Sequence, residues 1–524
     1  MSFVEEGQTD FIPVAWNDYR TDPPRSLISR LSFALPTLCC GVSYLLGGFT
    51  AVTGVGMSLL TLLCVIFLFD ELRKFPSRQG LGGILLYGGM LTWYCHDYVY
   101  NWLAGIPPEF SAIVTPYTLA KDAFYTCLFV FIAASTLELV WFRTAEKLIT
   151  IVPEPADSSL YLIVIGIALA IGLSPFFLLV NEPAYSALWK VITLDSEDVK
   201  WSVGRTVLGT AANLNYNWGG YVVVLLQIGC VSGILCALYA LFVTRSVPAK
   251  ILCAAVWLFW TLDGFTSYRR GDMAFMVLPL VGFLYFKYQQ QAIRYFRKSG
   301  WKAYALAGVV GGALFLVVQY QTAVRYGSDL ELLRPRGNTM FSEAIRTWAY
   351  IPERNNGRYY YDNFPGEDLV RPLPDCLFWL ILDPIPRALW NSKPLDSFYG
   401  WHNVFETNEP NGFTGTGISS GIVGFFYFRF GPFGVMEGAT LFGWMLGLSE
   451  RALRRAANRP LALLFVMAYA TFIFRDFRDM DWHTFDPVFE SGVALYVIVK
   501  LTGAAPKESP QYMISQPSEV MAFE

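Results

Sequence analysis

From Leu31 onward the chain repeatedly runs for about 20 residues with almost no charge, the length of helix that crosses roughly 30 Å of hydrocarbon. That repetition constrains the fold more than any motif does. The runs are continuous and do not alternate polar with apolar, which excludes a β-barrel. Backbone groups in lipid must bond within their own segment, so such runs are helices. Composition agrees: 54% of the 524 residues are hydrophobic and 15% are charged, against about 25% charged in a soluble domain. A soluble globular fold, a disordered chain and a nucleic-acid binder are excluded. The sequence predicts an all-α polytopic membrane protein.

Candidate spans fall near 31–49, 51–69, 81–103, 121–142, 160–180, 218–243, 251–268, 272–290 and 303–320, then 433–450, 460–474 and 486–501. The first two are separated by a tight Gly47-Gly48 turn. Lys and Arg orient the spans. Arg20, Arg25 and Arg30 precede the first; Arg73, Lys74 and Arg78 follow the second; Arg143 and Lys147 follow the fourth. Arg245 and Lys250 follow the sixth, and Arg294, Arg297, Lys298 and Lys302 the eighth. Arg451, Arg454, Arg455 and Arg459 separate the tenth from the eleventh. All fall on one side if both termini are cytoplasmic. Residues 415–430 are also apolar, but a full span there would put the four-arginine loop outside. They are expected to form a re-entrant or interfacial helix ending at Gly431-Pro432.

The resulting plan has a cytoplasmic segment 1–30, nine spans in 31–320, a large extracytoplasmic loop 321–413, the re-entrant helix 414–432, three spans in 433–501 and a cytoplasmic tail 502–524. The acidic start MSFVEEGQTD is no signal peptide, so the first helix is expected to stay in the mature protein. A connection as long as 321–413 is functional more often than not. Its Trp348, Tyr359, Tyr360, Tyr361, Trp390 and Trp401 suit either sugar stacking or an aromatic belt at the membrane surface. Of the nine cysteines only Cys376 lies outside the apolar runs, and there is no C-x-x-C, so neither a zinc site nor a disulfide framework is encoded. The absence of an N-x-S/T sequon leans toward a bacterial or archaeal source.

Ionisable groups in spans are costly and mark candidate sites. Here they favour the outer side: His96, Asp97, Asp263, the turn Arg269-Arg270-Gly271-Asp272, Glu437, and the turn RDFRDMDWHTFD at 475–486. Outer loops are normally poor in arginine, so Arg269, Arg270, Arg475 and Arg478 break the bias set elsewhere. Snorkelling, or simple pairing such as Arg475 with Asp479, would account for each alone. Together, guanidinium groups at this depth suit an anionic lipid headgroup, above all a diphosphate. His483, Asp481 and Glu437, in that order, are the candidate general bases toward a hydroxyl. No metal-ligand spacing, phosphate-cradling glycine loop or nucleophile elbow occurs, so no cofactor, metal or nucleotide is expected.

The stretch IPRALWNSKPL (Ile385–Leu395) resembles the "I-P-R-x-x-W-P-x-K-P" element of the bacterial Wzy-type polymerases of O-antigen and exopolysaccharide repeat units. The stretch T-G-x-x-S-G-I-V-G-F-F-Y-F-R-F-G-P-F-G (Thr416–Gly434) resembles that family's helix ending in "F-G-x-x-G". The resemblance is specific over the last third and rests on topology elsewhere. Asn391 stands where proline is usual and Phe425 where glutamate is common. The resemblance implies a metal-independent glycosyltransferase joining undecaprenyl-diphosphate-linked oligosaccharides on the periplasmic face of the inner membrane, beside a flippase and a chain-length regulator. By matching position it implies roles for Arg387 and Lys393 in substrate binding. The alternatives are an O-antigen ligase-like transferase, a polysaccharide transporter and a non-catalytic assembly subunit.

The topology has a direct check. Cysteines introduced between 321 and 413 are expected to react with a membrane-impermeant thiol reagent from the periplasmic side. Protection there, with reactivity near Arg451, would overturn the orientation.

Overall fold

The computed structural model describes residues 30–74, 80–95, 116–139, 232–244, 246–266, 277–284, 421–456, 459–477, 491–497 and 499–500, with isolated positions 305 and 309. Among the described residues every regular element is helical and no strand occurs. A 3-10 turn at Leu31–Phe33 leads into α1 (Ala34–Leu45), followed by α2 (Thr50–Lys74). Next come α3 (Leu81–Met90), which passes into a π-helical turn at Leu91–Cys95, and α4 (Pro116–Leu137). The remaining long elements are α5 (Ser232–Val243), α6 (Val247–Thr266), α7 (Gly421–Ala456) and α8 (Pro460–Asp476). The expected span 160–180, loop 321–413 and both termini lie outside the described residues.

Among the described residues two stretches, Thr50–Leu72 of α2 and Leu119–Leu137 of α4, are long and apolar enough to cross a membrane. They differ in burial, 33% against 67%. The α4 helix is thus the centre of the bundle, packed by α1, α2, α3 and α7, while α2 lies at its edge.

The Gly47-Gly48 turn is built as the sequence suggests. Gly48 N–H bonds to Ser43 O at 2.8 Å and Gly47 N–H to Tyr44 O at 3.2 Å, the paired closure of a Schellman motif. Both glycines have positive φ, 88° and 95°, which side chains resist. Beyond the turn α2 runs back along α1: Ser43 Oγ lies 2.7 Å from Thr53 Oγ1, and Gly56 leaves room for the Cys40 thiol.

Contacts along the helices show which ends lie together. Gly48 abuts Pro116, so α4 starts beside the turn. Gly83 abuts Glu71, so α3 starts where α2 ends. Gly82 N–H donates to a Glu450 carboxylate oxygen at 3.2 Å, which brings the far part of α7 to the same place. The helix ends that carry Arg30, Arg73 with Lys74, and Arg451 therefore gather at one end of the bundle.

Arg30 ties that end together. Its guanidinium donates to Glu71 Oε1 at 3.1 Å and to Glu138 Oε1 at 2.8 Å, and all three side chains are at most 5% exposed. It also lies 4.3 Å from the Phe67 ring centroid and 5.5 Å from that of Tyr87. Burial works against the guanidinium charge; Tyr87, Glu138 and Glu71 more than offset it, leaving the group above its ordinary pKa.

The α7 helix departs from expectation. Residues 421–430 and 433–450, expected as two elements, form one helical run with Pro432 inside it. The run is not straight. Phe426 and Gly438 would stand ~18 Å apart on a straight helix, yet the Phe426 ring occupies the place of a Gly438 Cβ. Likewise Ile422 N–H reaches Phe477 O at 3.2 Å while the Phe442 ring lies 4.9 Å from the Phe477 ring. The chain therefore bends sharply between 426 and 438. Pro432 accounts for this, because it supplies no N–H and crowds the carbonyl one turn earlier. Gly431-Pro432 marks a bend within a helix, not its end.

Seven cysteines are described, all free, and six of them are buried. Cys127 and Cys40 Sγ lie 3.7 Å apart as packed thiols, small hydrophobes in effect.

Replacing Arg30 by Met is expected to cost about 3–5 kcal/mol, since it strands two buried carboxylates. The loss of thermal stability in detergent should shrink when Glu71→Gln and Glu138→Gln are added. A single Arg30→Met variant as stable as wild type would show that the ion pair does not organise this end.

Candidate functional site

The opposite end of the bundle holds the convergence of most interest. The π-helical turn places Trp93 and Tyr94 against the C-terminal end of α8. Trp93 Nε1–H donates to Phe474 O at 3.2 Å and the Tyr94 hydroxyl donates to Phe477 O at 3.2 Å. Carbonyls at a helix end lack partners within the helix, and these two side chains supply them. The first turn of α7 has the converse need. Ile422 N–H donates to Phe477 O at 3.2 Å and Val423 N–H to Tyr94 Oη at 3.4 Å. The Tyr94 hydroxyl thus joins three element ends, donating to one and accepting from another.

Glycines make room for this node. Gly421 has φ 65°, and a Cβ there would meet the Tyr94 hydroxyl. The Phe477 ring lies flush on Gly89 of α3 and edge-on to Phe442, with an interplanar angle of 88°.

A buried charged group sits farther along the same arm of α7. The Lys121 ammonium lies 4.7 Å from the Tyr427 ring centroid, and Lys121 is only 2% exposed. Tyr427 packs on Tyr125 at 4.9 Å, and Tyr44 packs on Tyr117 at 5.1 Å. A cation held over an aromatic face away from water is worth roughly 2 kcal/mol. Asp122, adjacent in sequence, is buried too.

The sequence-derived candidates fall unevenly on this frame. The α3 end at Cys95 immediately precedes His96-Asp97; Arg475 belongs to the last turn of α8, with its side chain outside the described part; Gly421 directly follows T-G-I-S-S. Three segments that carry or lead into candidate residues thus start from one node. Glu437 is described and is exposed on α7, on the same face as Phe433, Met436 and Thr440. It does not line a buried site. Arg269, Arg270, Arg387, Lys393, Arg478, Asp481 and His483 lie outside the described residues. Among the described residues no group of three or more His, Cys, Asp or Glu is arranged to hold a metal ion.

Sequence reasoning missed Tyr94, the Lys121–Tyr427 contact and the Arg30–Glu71–Glu138 cluster. The Lys121-Asp122 dipeptide at the head of an apolar run was the available signal, because charges inside a run are costly. Glu71 and Glu138 were equally visible, one just after an apolar run and the other inside one. No protein-family model, no curated protein and no solved structure matches the chain.

Proposed function

We propose that the chain is a multi-pass glycosyltransferase of the bacterial inner membrane, with both termini cytoplasmic. It joins undecaprenyl-diphosphate-linked oligosaccharide repeat units on the periplasmic face. The observation that carries this reading is the Tyr94 node. There the first turn of α7, which opens the Gly421–Gly434 part of the polymerase-like element, meets the end of α8, which leads into the Arg475–His483 turn. The membrane setting is supported by the two long apolar helices and by Leu35, Leu38, Leu45, Leu62 and Phe69, all more than half exposed on α1 and α2. The gathering of basic helix ends away from the node supports a cytoplasmic side opposite the chemistry.

The reaction asks little of a cofactor. An acceptor hydroxyl oxygen attacks the anomeric carbon of the growing chain. The bond from that carbon to the diphosphate oxygen breaks, and the diphosphate leaves on its lipid carrier. The hydroxyl proton goes to a base. Arg269, Arg270, Arg475 and Arg478, with Arg387 and Lys393 from the loop, serve the diphosphate by charge-assisted bonds. His483 leads as base because its ordinary pKa is nearest neutrality. Asp481 follows, and the exposed position of Glu437 keeps it last.

Deletion of the gene, with analysis of surface glycan, tests the class. Single repeat units left on lipid are expected. Long chains left on the carrier would make the protein ligase-like instead. Three predictions test the assignments. Arg475→Ala and Arg478→Ala should lose most polymer while the protein still inserts, with Lys a poor replacement wherever the contact is bidentate. His483→Ala should lower turnover by roughly 10²–10⁴-fold with donor-lipid binding nearly intact. If it keeps wild-type turnover while Asp481→Asn abolishes it, the base is the carboxylate. Polymerisation by the purified protein should persist in excess chelator; loss that Mg²⁺ restores would assign Asp479 and Asp481 to a cation.

A further inference from the structure

We propose that Tyr94 is a positioning residue, clamping the C-terminal end of α8 to the first turn of α7. Its catalytic consequence rests on the glycosyltransferase reading; the clamp itself does not. The phenol is 2% exposed and sits in a π-helical turn, a local irregularity often found at functional sites. Its hydroxyl donates to Phe477 O and accepts from Val423 N–H. Phe477 O in turn accepts from Ile422 N–H, so three bonds tie the two chain ends at one point.

Only a group that donates and accepts at once satisfies both partners. Gly421 leaves the space the hydroxyl occupies. Arg478, Asp481 and His483 follow Phe477 within six residues, and Ser419 and Ser420 directly precede Gly421. The end of α8 and the first turn of α7 are therefore fixed at Tyr94, which carries no charge. At 3.2 and 3.4 Å the bonds are long, so each is modest. Their loss loosens the node without unfolding the bundle.

The test uses the full-length protein in lipid nanodiscs, in a Cys376→Ser background. Ser420→Cys and Met480→Cys report the two segments, and Gln79→Cys reports the basic end. Adding Tyr94→Phe should raise maleimide labelling roughly fivefold at both reporters and leave Gln79→Cys unchanged. Gly421→Ala, which drives a methyl into the hydroxyl, should give the same pattern. Turnover of lipid-linked repeat units should fall by a similar factor with KM unchanged. Flat labelling, a rise at only one reporter, or an equal rise at Gln79→Cys overturns the clamp. A raised KM at unchanged kcat overturns the positioning role, because Tyr94 would then bind substrate itself. If wild type makes no polymer but the labelling pattern holds, the clamp stands and the polymerase reading fails. If polymer forms and labelling is flat, the reverse is true.

Discussion

A guanidinium buried among helix ends has to be paired, and the pairing of Arg30 indexes one end of this bundle. Glu71 closes α2, Glu138 follows α4, and Tyr87 comes from α3. One side chain thereby fixes the register of three other helices against the start of α1. Replacing such a cluster by apolar residues often leaves stability unchanged or better. Its value lies in specificity, since a helix slipped by one turn would leave a charge without its partner. The Glu450 carboxylate extends the same end to α7 through the Gly82 N–H, a backbone donor in the first turn of α3.

The opposite end is held differently. Its ties include neutral hydrogen bonds of 3.2–3.4 Å and ring contacts, with the buried Lys121 cation over Tyr427. Neutral bonds of this length contribute less than charge-assisted ones. The Tyr94 bonds are of this neutral kind, whereas the Arg30 bonds are charge-assisted.

Much of this frame could be read in the chain. The expected span starts at Leu31, Leu81 and Pro460 match helix starts to within a few residues, because long apolar runs leave little choice of secondary structure. The Gly47-Gly48 turn was equally plain, as two glycines between apolar runs have few other uses. What the sequence hid was pairing across distance. Nothing local joins Arg30 to a glutamate 108 residues away, so Arg30 read only as a marker of orientation. Tyr94 read as one more residue of an apolar run, because its role depends on helix ends more than 300 positions later. The bend in α7 was half legible. Proline predicts an interruption, and whether that ends a helix or bends it depends on what packs on either side.

That bend folds a long helix back on itself. Straight, the 36 residues of α7 would reach ~54 Å. Bent at Pro432, the helix serves two sites at once. Its longer arm packs close to α4, where Gly443 lies against the Ala133 backbone with no space for a methyl. Small residues at such contacts let two helix backbones approach closely. Its shorter arm turns back so that Ile422 and Val423 reach the Tyr94 node. A proline that interrupts one helix thus allows a single segment to join the packed core to the Tyr94 node.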